Sequence, residues 1–220
     1  MDIDRIKTDL QATDFQYRLK AITALKAYPT EVVVPILIDR LKDPEILVRS
    51  FVAMGLSKHQ TAASFAALIE MMKFDLNPNV RAEAANSLSF FGKAAAPHLS
   101  AAFCQDDHWL LRRSILAALV DLQWHNELYE VCMEALAGSD LHLQAAAVSA
   151  LGSLVDSNYH ELALEKLLTL VDRDASLIRQ KVAYALQQFA DPRAKTALSQ
   201  LRQDPEHSVV GAALEELLER

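Results

Sequence analysis

Histidine is the side chain in this sequence best able to bind a metal or to transfer a proton, and the chain has seven. They stand singly, at positions 59, 98, 108, 125, 142, 160 and 207. No two of them have the spacing that zinc sites use on a helix. Cys104 and His108 are separated by two aspartates across a predicted turn. We therefore expect no metal and no metal-dependent chemistry.

Cys104 and Cys132 are the two thiols that could act as nucleophiles. Two cysteines are too few for a disulfide framework, so a reducing, cytoplasmic setting is expected. Neither thiol has a Lys or Arg at helical spacing that would lower its pKa, and Cys132 lies among glutamates. We expect both side chains to be small, buried apolar groups.

An Arg that follows an Asp by six residues recurs along the chain. The clear copies are Asp43/Arg49, Asp75/Arg81 and Asp106/Arg112. With the weaker copies, the repeats centre on residues 18, 49, 81, 112, 144, 179 and 210. A fixed period in the range of about 20 to 50 residues indicates a solenoid, whose units bury their apolar faces only against their neighbours. We expect these Arg and Asp side chains to satisfy helix ends and neighbouring carboxylates rather than to form an anion site.

Each repeat predicts two amphipathic helices joined by a short turn. In the repeat at residues 43–56, Val48, Val52, Ala53 and Leu56 recur at helical spacing and form one apolar face. Partner helices are predicted at 31–42, 63–73, 127–138 and 161–172. We expect about fourteen helices, with a lone one at 2–10 and another at 206–219, and no β-structure. The predicted fold is an all-α superhelix of about seven repeats in one domain, residues 1–220.

Helix starts are predicted where Asp or Asn precedes Pro. The side chain caps the first turn, and Pro loses nothing at the first helical position. The pairs are Asp43-Pro44, Asn77-Pro78, Asp191-Pro192 and Asp204-Pro205.

Trp124 departs most clearly from the repeat. The equivalent positions of other repeats hold polar residues, namely Thr30, Thr61, Lys93, Asp156 and Asp191. A large aromatic residue at a position that is otherwise polar predicts either an anchor for a partner or local packing at a helix end.

Further candidates for partner binding lie close to Trp124 in the sequence. Arg113 stands where other repeats have uncharged residues. Trp109 is expected either fully or partly in the core, or in contact with a partner. Three glutamates share one face of a predicted helix, which is either a solvated face or a surface for a basic partner. The partner-binding residues that we predict are Trp124, His125, Arg113, Trp109, Glu127, Glu130 and Glu134.

The charge distribution disfavours nucleic acid as a partner. The net charge is −7, and residues 114–165 contain no Lys or Arg, whereas nucleic-acid binding needs a basic surface. The longest uncharged stretch, 141–155, is too short and too polar to span a membrane, and the charged N-terminal segment predicts no leader peptide.

The repeat resembles the HEAT-repeat superfamily, in which such Asp and Arg side chains form a ladder between successive repeats. Here the ladder is predicted to be complete only in the three clear copies, because Gln144 and Val210 replace the Arg elsewhere. The period of about 32 is shorter than usual for HEAT repeats. It is similar to that of the cyanobacterial phycobilisome-lyase group, which includes the E/F-type phycobilin lyase subunits and NblB-like phycobilisome degradation proteins.

This resemblance implies a protein-binding scaffold that acts on phycobiliproteins or on phycobilisome assembly or degradation, without a cofactor. The alternative is a bilin lyase or lyase subunit, in which Cys104 or Cys132 would hold phycocyanobilin transiently. A third possibility is an accessory protein of iron–sulfur assembly. HEAT-like deoxyhypusine hydroxylases bind iron through several His-Glu pairs, and this chain has one, His160-Glu161, so that activity is not expected.

Overall fold

The computed structural model describes residues 2–218, and α-helices account for most of them. The prediction of an all-α fold is confirmed, and no strand occurs in this part of the chain. The helices are α1 (Ile3–Asp9), α2 (Phe15–Ala24), α3 (Thr30–Ile38), α4 (Ile46–Ser57), α5 (Ala62–Phe74), α6 (Pro78–Ser89), α7 (Ala96–Gln105), α8 (Trp109–Asp121), α9 (His125–Ala137), α10 (Leu141–Gly152), α11 (His160–Leu168), α12 (Ser176–Leu186), α13 (Pro192–Leu201) and α14 (His207–Leu218).

The chain forms two compact units, Met1–Ala118 and Leu119–Arg220, with the boundary inside α8. We call them unit 1 and unit 2. In unit 1, α2, α4 and α6 pack in sequence and form one layer, while α3, α5 and α7 form the second. In unit 2, α10, α12 and α14 pack in the same way, and α11 lies against α13. That residues 1–220 form one domain stays a prediction.

The core of each unit lies between its two layers. The predicted apolar face of α4, with Val48, Val52, Ala53 and Leu56, is fully buried. The largest fully buried side chains of unit 1 come from both layers and include Phe103 of α7. Burial of such side chains stabilises the fold by about 1.5–3 kcal/mol each, so stacking, rather than intrinsic helix propensity, holds these short helices in place.

Two of the four predicted helix starts are correct. Asn77 and Asp191 each cap a helix that begins at the following proline. The predictions at Asp43 and Asp204 are wrong, because α4 begins at Ile46 and α14 at His207. Both aspartates instead accept a hydrogen bond from the backbone N–H two residues on, within a turn that precedes the helix.

Candidate functional site

A ladder of ion pairs links successive repeats within each unit. Arg18 donates from Nε and Nη2 to the two carboxylate oxygens of Asp43, at 2.9 Å each, and both side chains are buried. The other rungs are Arg49–Asp75, Arg81–Asp106 and Arg179–Asp204, each with an Nε–Oδ2 distance of 2.6 Å. Each rung joins the Arg of one repeat to the Asp of the next repeat, so it fixes the register of neighbouring helix pairs.

Each ladder arginine also holds the turn before its own helix. Arg49 Nη1 donates to the carbonyl oxygen of Asp43 at 2.7 Å, and Arg18, Arg81 and Arg179 make the same kind of contact. Hydrogen bonds to Asp75 raise the pKa of Arg49. The guanidinium groups are therefore occupied by carboxylates and carbonyls, which agrees with a structural rather than an anion-binding role.

The ladder differs in two ways from the prediction. Rungs also occur at Arg18 and Arg179, outside the three clear copies. Arg112, in contrast, donates to the carbonyl oxygens of Phe103 and Asp106 and lies over the Phe103 ring. Its expected carboxylate is missing from the sequence, because the position six before Gln144 is Gly138. Gln144 keeps the contact to the turn before its own helix, because its side-chain amide donates to the Gly138 carbonyl at 2.6 Å.

Trp124 lies at the junction of α8 and α9, where it is the N-cap residue of α9 and is half-buried. Its N–H donates to the Leu119 carbonyl at 3.3 Å, and that of Gln123 donates to Val120 at 3.1 Å. This pair of bonds is a Schellman motif, which requires a left-handed residue between them. Gln123 has that conformation, with φ of 53°. Because Trp124 is half-buried, a partner can reach only part of its side chain.

The three predicted glutamates project from α9 together. Glu130 and Glu134 are exposed, and Glu127, like His125, is half-buried. Asn126 donates to Glu130 at 3.3 Å and accepts a hydrogen bond from the Tyr159 hydroxyl at 2.5 Å. The Tyr129 and Tyr159 rings stack at 5.1 Å. Unit 2 thus presents an acidic face on α9, with the stacked pair of Tyr129 and Tyr159 beside it.

Trp109 and Arg113 lie one turn apart on α8, in unit 1, and both are exposed. Trp109 is not fully in the core, since half of its surface is accessible (50%). Its ring stacks on the His108 ring, with 6.1 Å between the two centroids. Trp109 is the first residue of α8 and lies outside the buried core.

The two cysteines have different surroundings. Cys132 is buried in α9 as predicted, and burial raises the pKa of its thiol. Cys104 is exposed, so the expectation of burial is wrong there. It follows Ala102 and Phe103 of α7, which fill the core, and therefore points to another side of the helix.

Two strongly exposed apolar residues were not singled out from the sequence. Phe74 and Leu76, on either side of Asp75, are 72% and 95% exposed. They line a groove of about 560 Å³ with Pro44 and Arg49. The repeat itself contained the signal: the equivalent positions elsewhere hold Gln, Lys, Ala, Asp, Thr, Pro or Ser.

Among residues 2–218, no group of three or more His, Cys, Asp or Glu side chains is placed so that it could hold a metal ion. His160 Nδ1 lies 2.5 Å from the Val155 carbonyl oxygen. Glu161 binds Arg193 at 2.6 Å, and this contact lowers the pKa of Glu161. Across residues 2–218, no helix has both the length and the hydropathy that a membrane crossing requires.

The family follows from a comparison with known repeat sequences. A HEAT-repeat family model matches residues 4–75, 34–120 and 128–219. The chain belongs to the HEAT-repeat family. A search of curated proteins gives no significant match to this HEAT-repeat protein.

Solved structures show the same fold at low sequence identity. The complex of CpcE and CpcF of phycocyanin lyase from Nostoc has a TM-score of 0.53 and 21% identity, over 100% of this chain and 88% of that one. The Drosophila melanogaster Mini spindles TOG3 domain has a TM-score of 0.55 and 12% identity, over 84% and 93%. A designed armadillo repeat protein for modular peptide recognition has a TM-score of 0.52 and 16% identity, over 84% and 98%. These likenesses concern the fold alone.

Proposed function

We propose that this HEAT-repeat protein is a non-catalytic scaffold that binds another protein. The observation that carries the proposal is the set of large apolar side chains left outside the core of unit 1. Phe74, Leu76, Phe90 and Trp109 are each at least half exposed. Such side chains contribute little to folding, whereas exposed apolar patches and aromatic anchors are typical of interfaces.

The proposed partners are phycobiliproteins, or proteins that assemble or dismantle phycobilisomes, in the cytoplasm. Two observations support this choice. The repeat period of about 32 is unusually short for HEAT repeats, and the phycocyanin lyase complex shares the fold over the whole of this chain. The scaffold needs no cofactor of its own in this proposal.

The proposed contacts include residues of both units. In unit 2 they are Trp124, His125, Glu127, Glu130 and Glu134; in unit 1 they are Trp109 and Arg113. Trp124 is the proposed anchor, since its position is polar in the other repeats. The α9 glutamates would meet basic side chains of the partner, which adds specificity and speeds association more than it adds affinity.

Binding to purified phycocyanin tests the proposal. Replacing Trp124 with Ala should weaken binding by about 1–4 kcal/mol, as is usual for an interface anchor. Biolayer interferometry measures the affinity, and circular dichroism verifies the fold. Leu162→Ala is the matched control, because Leu162 of α11 is an exposed apolar side chain of the same unit. Absence of phycocyanin binding by the wild type would reject phycocyanin as the partner, and unchanged affinity of the Trp124→Ala variant would reject the anchor.

The alternative function is that of a bilin lyase or a lyase subunit, which attaches or detaches a chromophore at a phycobiliprotein cysteine. The exposed thiol of Cys104 favours it, since a carrier thiol has to be accessible. The buried Cys132, whose thiol has a raised pKa, does not suit this role. Protein purified after mixing with phycocyanobilin should then absorb visible light, and Cys104→Ser should abolish the colour. A colourless wild type would count against this function.

A further inference from the structure

A small apolar slot opens in unit 1 between the first two repeats, away from the residues proposed above. It holds about 160 Å³ and lies between α2, α3 and α4. Buried Leu25, Val33 and Leu37 form part of its floor, and half-buried Phe51 and Met54 form part of its wall. A ligand pocket for a small molecule usually has about 300–1,000 Å³. The slot is therefore of a size for one side chain rather than for a cofactor.

Gly55 lets Leu37 pack close to α4 at one side of the slot. A Cβ at this position would lie 2.8 Å from Leu37 Cδ1, so a larger residue would displace Leu37, which lines the slot. Most other repeats have Ala or Ser at the equivalent position. Phe51 and Met54 are also unusual, because their equivalents in the neighbouring repeats are Lys20 and Glu83, and Thr23 and Asn86. This repeat thus combines a missing side chain with two large apolar ones.

The rim of the slot is basic. Its ionisable lining residues are Lys26, Lys58 and His59, and no carboxylate is among them. His59 Nδ1 is hydrogen-bonded to Thr30 Oγ1 at 2.9 Å, which fixes the ring beside the opening. Both lysines are exposed, and neither takes part in an ion pair with any residue the structure describes. In a chain with a net charge of −7, this is a local positive site.

We propose that the slot receives an apolar side chain of leucine size from a partner protein, in a segment where that residue is flanked by carboxylates. The apolar wall would desolvate the side chain, as in the central pockets of interfaces. Lys26 and Lys58 would face the flanking carboxylates, which gives charge complementarity at the rim. The inference rests on the proposed scaffold function and defines the chemistry of one contact.

Nuclear magnetic resonance titration with a synthetic peptide tests this contact directly. The probe is a short peptide with one central leucine flanked by glutamates. Its addition should shift the backbone amide signals of Gly55, Met54 and Lys58 in a saturable manner. The same peptide with lysines in place of the glutamates, or with serine in place of the leucine, should leave these signals unchanged. Added salt should weaken binding, because salt screens exposed charges.

Matched variants separate the two parts of the interaction. Lys26→Glu combined with Lys58→Glu should weaken peptide binding at least about tenfold, whereas the control pair Lys42→Glu with Lys73→Glu, in the same unit but outside the slot, should not. Gly55→Ala should reduce binding, because the new Cβ would displace Leu37, which lines the slot. Gly211→Ala in α14 is its control, because a Cβ there meets no atom within 4 Å.

Two results would overturn the inference. One is equal binding of the glutamate and lysine peptides. The other is binding of sodium hexanoate with the same signals and affinity, which would identify the slot as a site for small carboxylates. Neither result depends on phycocyanin. Failure of the slot is thus distinguishable from failure of the proposed function.

Discussion

Gln123 shows at the scale of one residue how the backbone places Trp124. Its φ of 53° lies in the left-handed region, which costs about 1–2 kcal/mol for a residue with a Cβ. The conformation persists because it allows the Trp124 N–H to reach the Leu119 carbonyl and so closes the end of α8. Glycine usually occupies this position. Gln123 is therefore strained, and it directly precedes Trp124.

Replacing Gln123 with Gly should therefore stabilise the protein. The gain should be about 1 kcal/mol, since glycine adopts a positive φ without steric conflict but loses more entropy on folding. Thermal unfolding followed by circular dichroism measures it as a higher Tm. Lys20→Gly, at an exposed position in the middle of α2, is the control and should lower Tm. A lower Tm for the Gln123 variant would contradict the assigned strain.

Asp204 makes the ladder sensitive to acid. Hydrogen bonds from Arg179 hold the pKa of this carboxyl below its usual value. Because the folded-state pKa is depressed, the stabilisation is fully present above the unfolded value of about 3.9. It is lost as the pH falls through the lower, folded-state pKa.

The variant Asp204→Asn should consequently be less stable than the wild type at neutral pH. The difference in unfolding free energy should shrink as the pH falls below about 4, because the carboxyl is then protonated in the unfolded chain before it is protonated in the folded one. Urea unfolding at a series of pH values measures both quantities. A difference that stays constant over this range would show that the ion pair has no part in it.

At the scale of helices, two glycines have opposite surroundings. A Cβ on Gly152 would lie 3.2 Å from both Cα and Cβ of Ala185, so α10 and α12 approach closely there. A Cβ on Gly211 in α14 would meet no atom within 4 Å. The close packing of α10 and α12 therefore requires a glycine at position 152, whereas nothing around Gly211 requires one.

Alanine substitutions at these positions should have opposite effects. Gly211→Ala should raise the unfolding free energy by about 0.5–1 kcal/mol through helix propensity. Gly152→Ala should lower it by about 1–3 kcal/mol, because the backbone of α12 has to move. Urea unfolding compares the two variants. Stabilisation by both would mean that α10 and α12 can separate without cost.

The helices also show how far the sequence could predict this structure. The periodic apolar residues predicted the all-α fold and the buried face of α4, because every repeat buries the same positions. Local start signals were less informative: Asn77-Pro78 begins a helix, but Asp43-Pro44 does not. Both helices begin three residues before their ladder arginine, at Ile46 and at Pro78. Asp43-Pro44 lies two positions earlier in its repeat than Asn77-Pro78 does, so a start signal taken from one segment alone misses the position that the repeat sets.

Candidate binding residues were harder to predict, because exposure depends on where the core ends. The repeat position of Trp109 suggested burial, yet the side chain lies at the first turn of α8, outside the packed layer. Phe74 and Leu76 were recognisable only by comparison with equivalent positions in other repeats. The slot at Gly55 depends on Leu37, from a different helix, and no sequence pattern joins the two.

For the whole molecule, each ion pair of the ladder joins two neighbouring repeats, so we expect it to contribute to the unfolding free energy only through those two repeats. Among the described residues, unit 1 has three rungs and unit 2 has one. The Asp43 carbonyl accepts from Arg49, whose Nε binds Asp75. Neighbouring rungs are thus connected through Arg49, whereas the rungs at Asp43 and Asp204 share no residue.

Double-mutant cycles should separate these two cases. Asp43→Asn and Asp204→Asn should be additive within about 0.5 kcal/mol, as for independent sites. Asp43→Asn and Asp75→Asn should be non-additive, because loss of the Asp75 carboxylate releases Arg49, which also holds the Asp43 turn. Unfolding free energies of the single and double variants, from urea titrations, give the two coupling energies. Equal coupling well above zero in both cycles would mean that the rungs act as one network rather than as contacts between adjacent repeats, contrary to the short-range cooperativity of solenoid proteins.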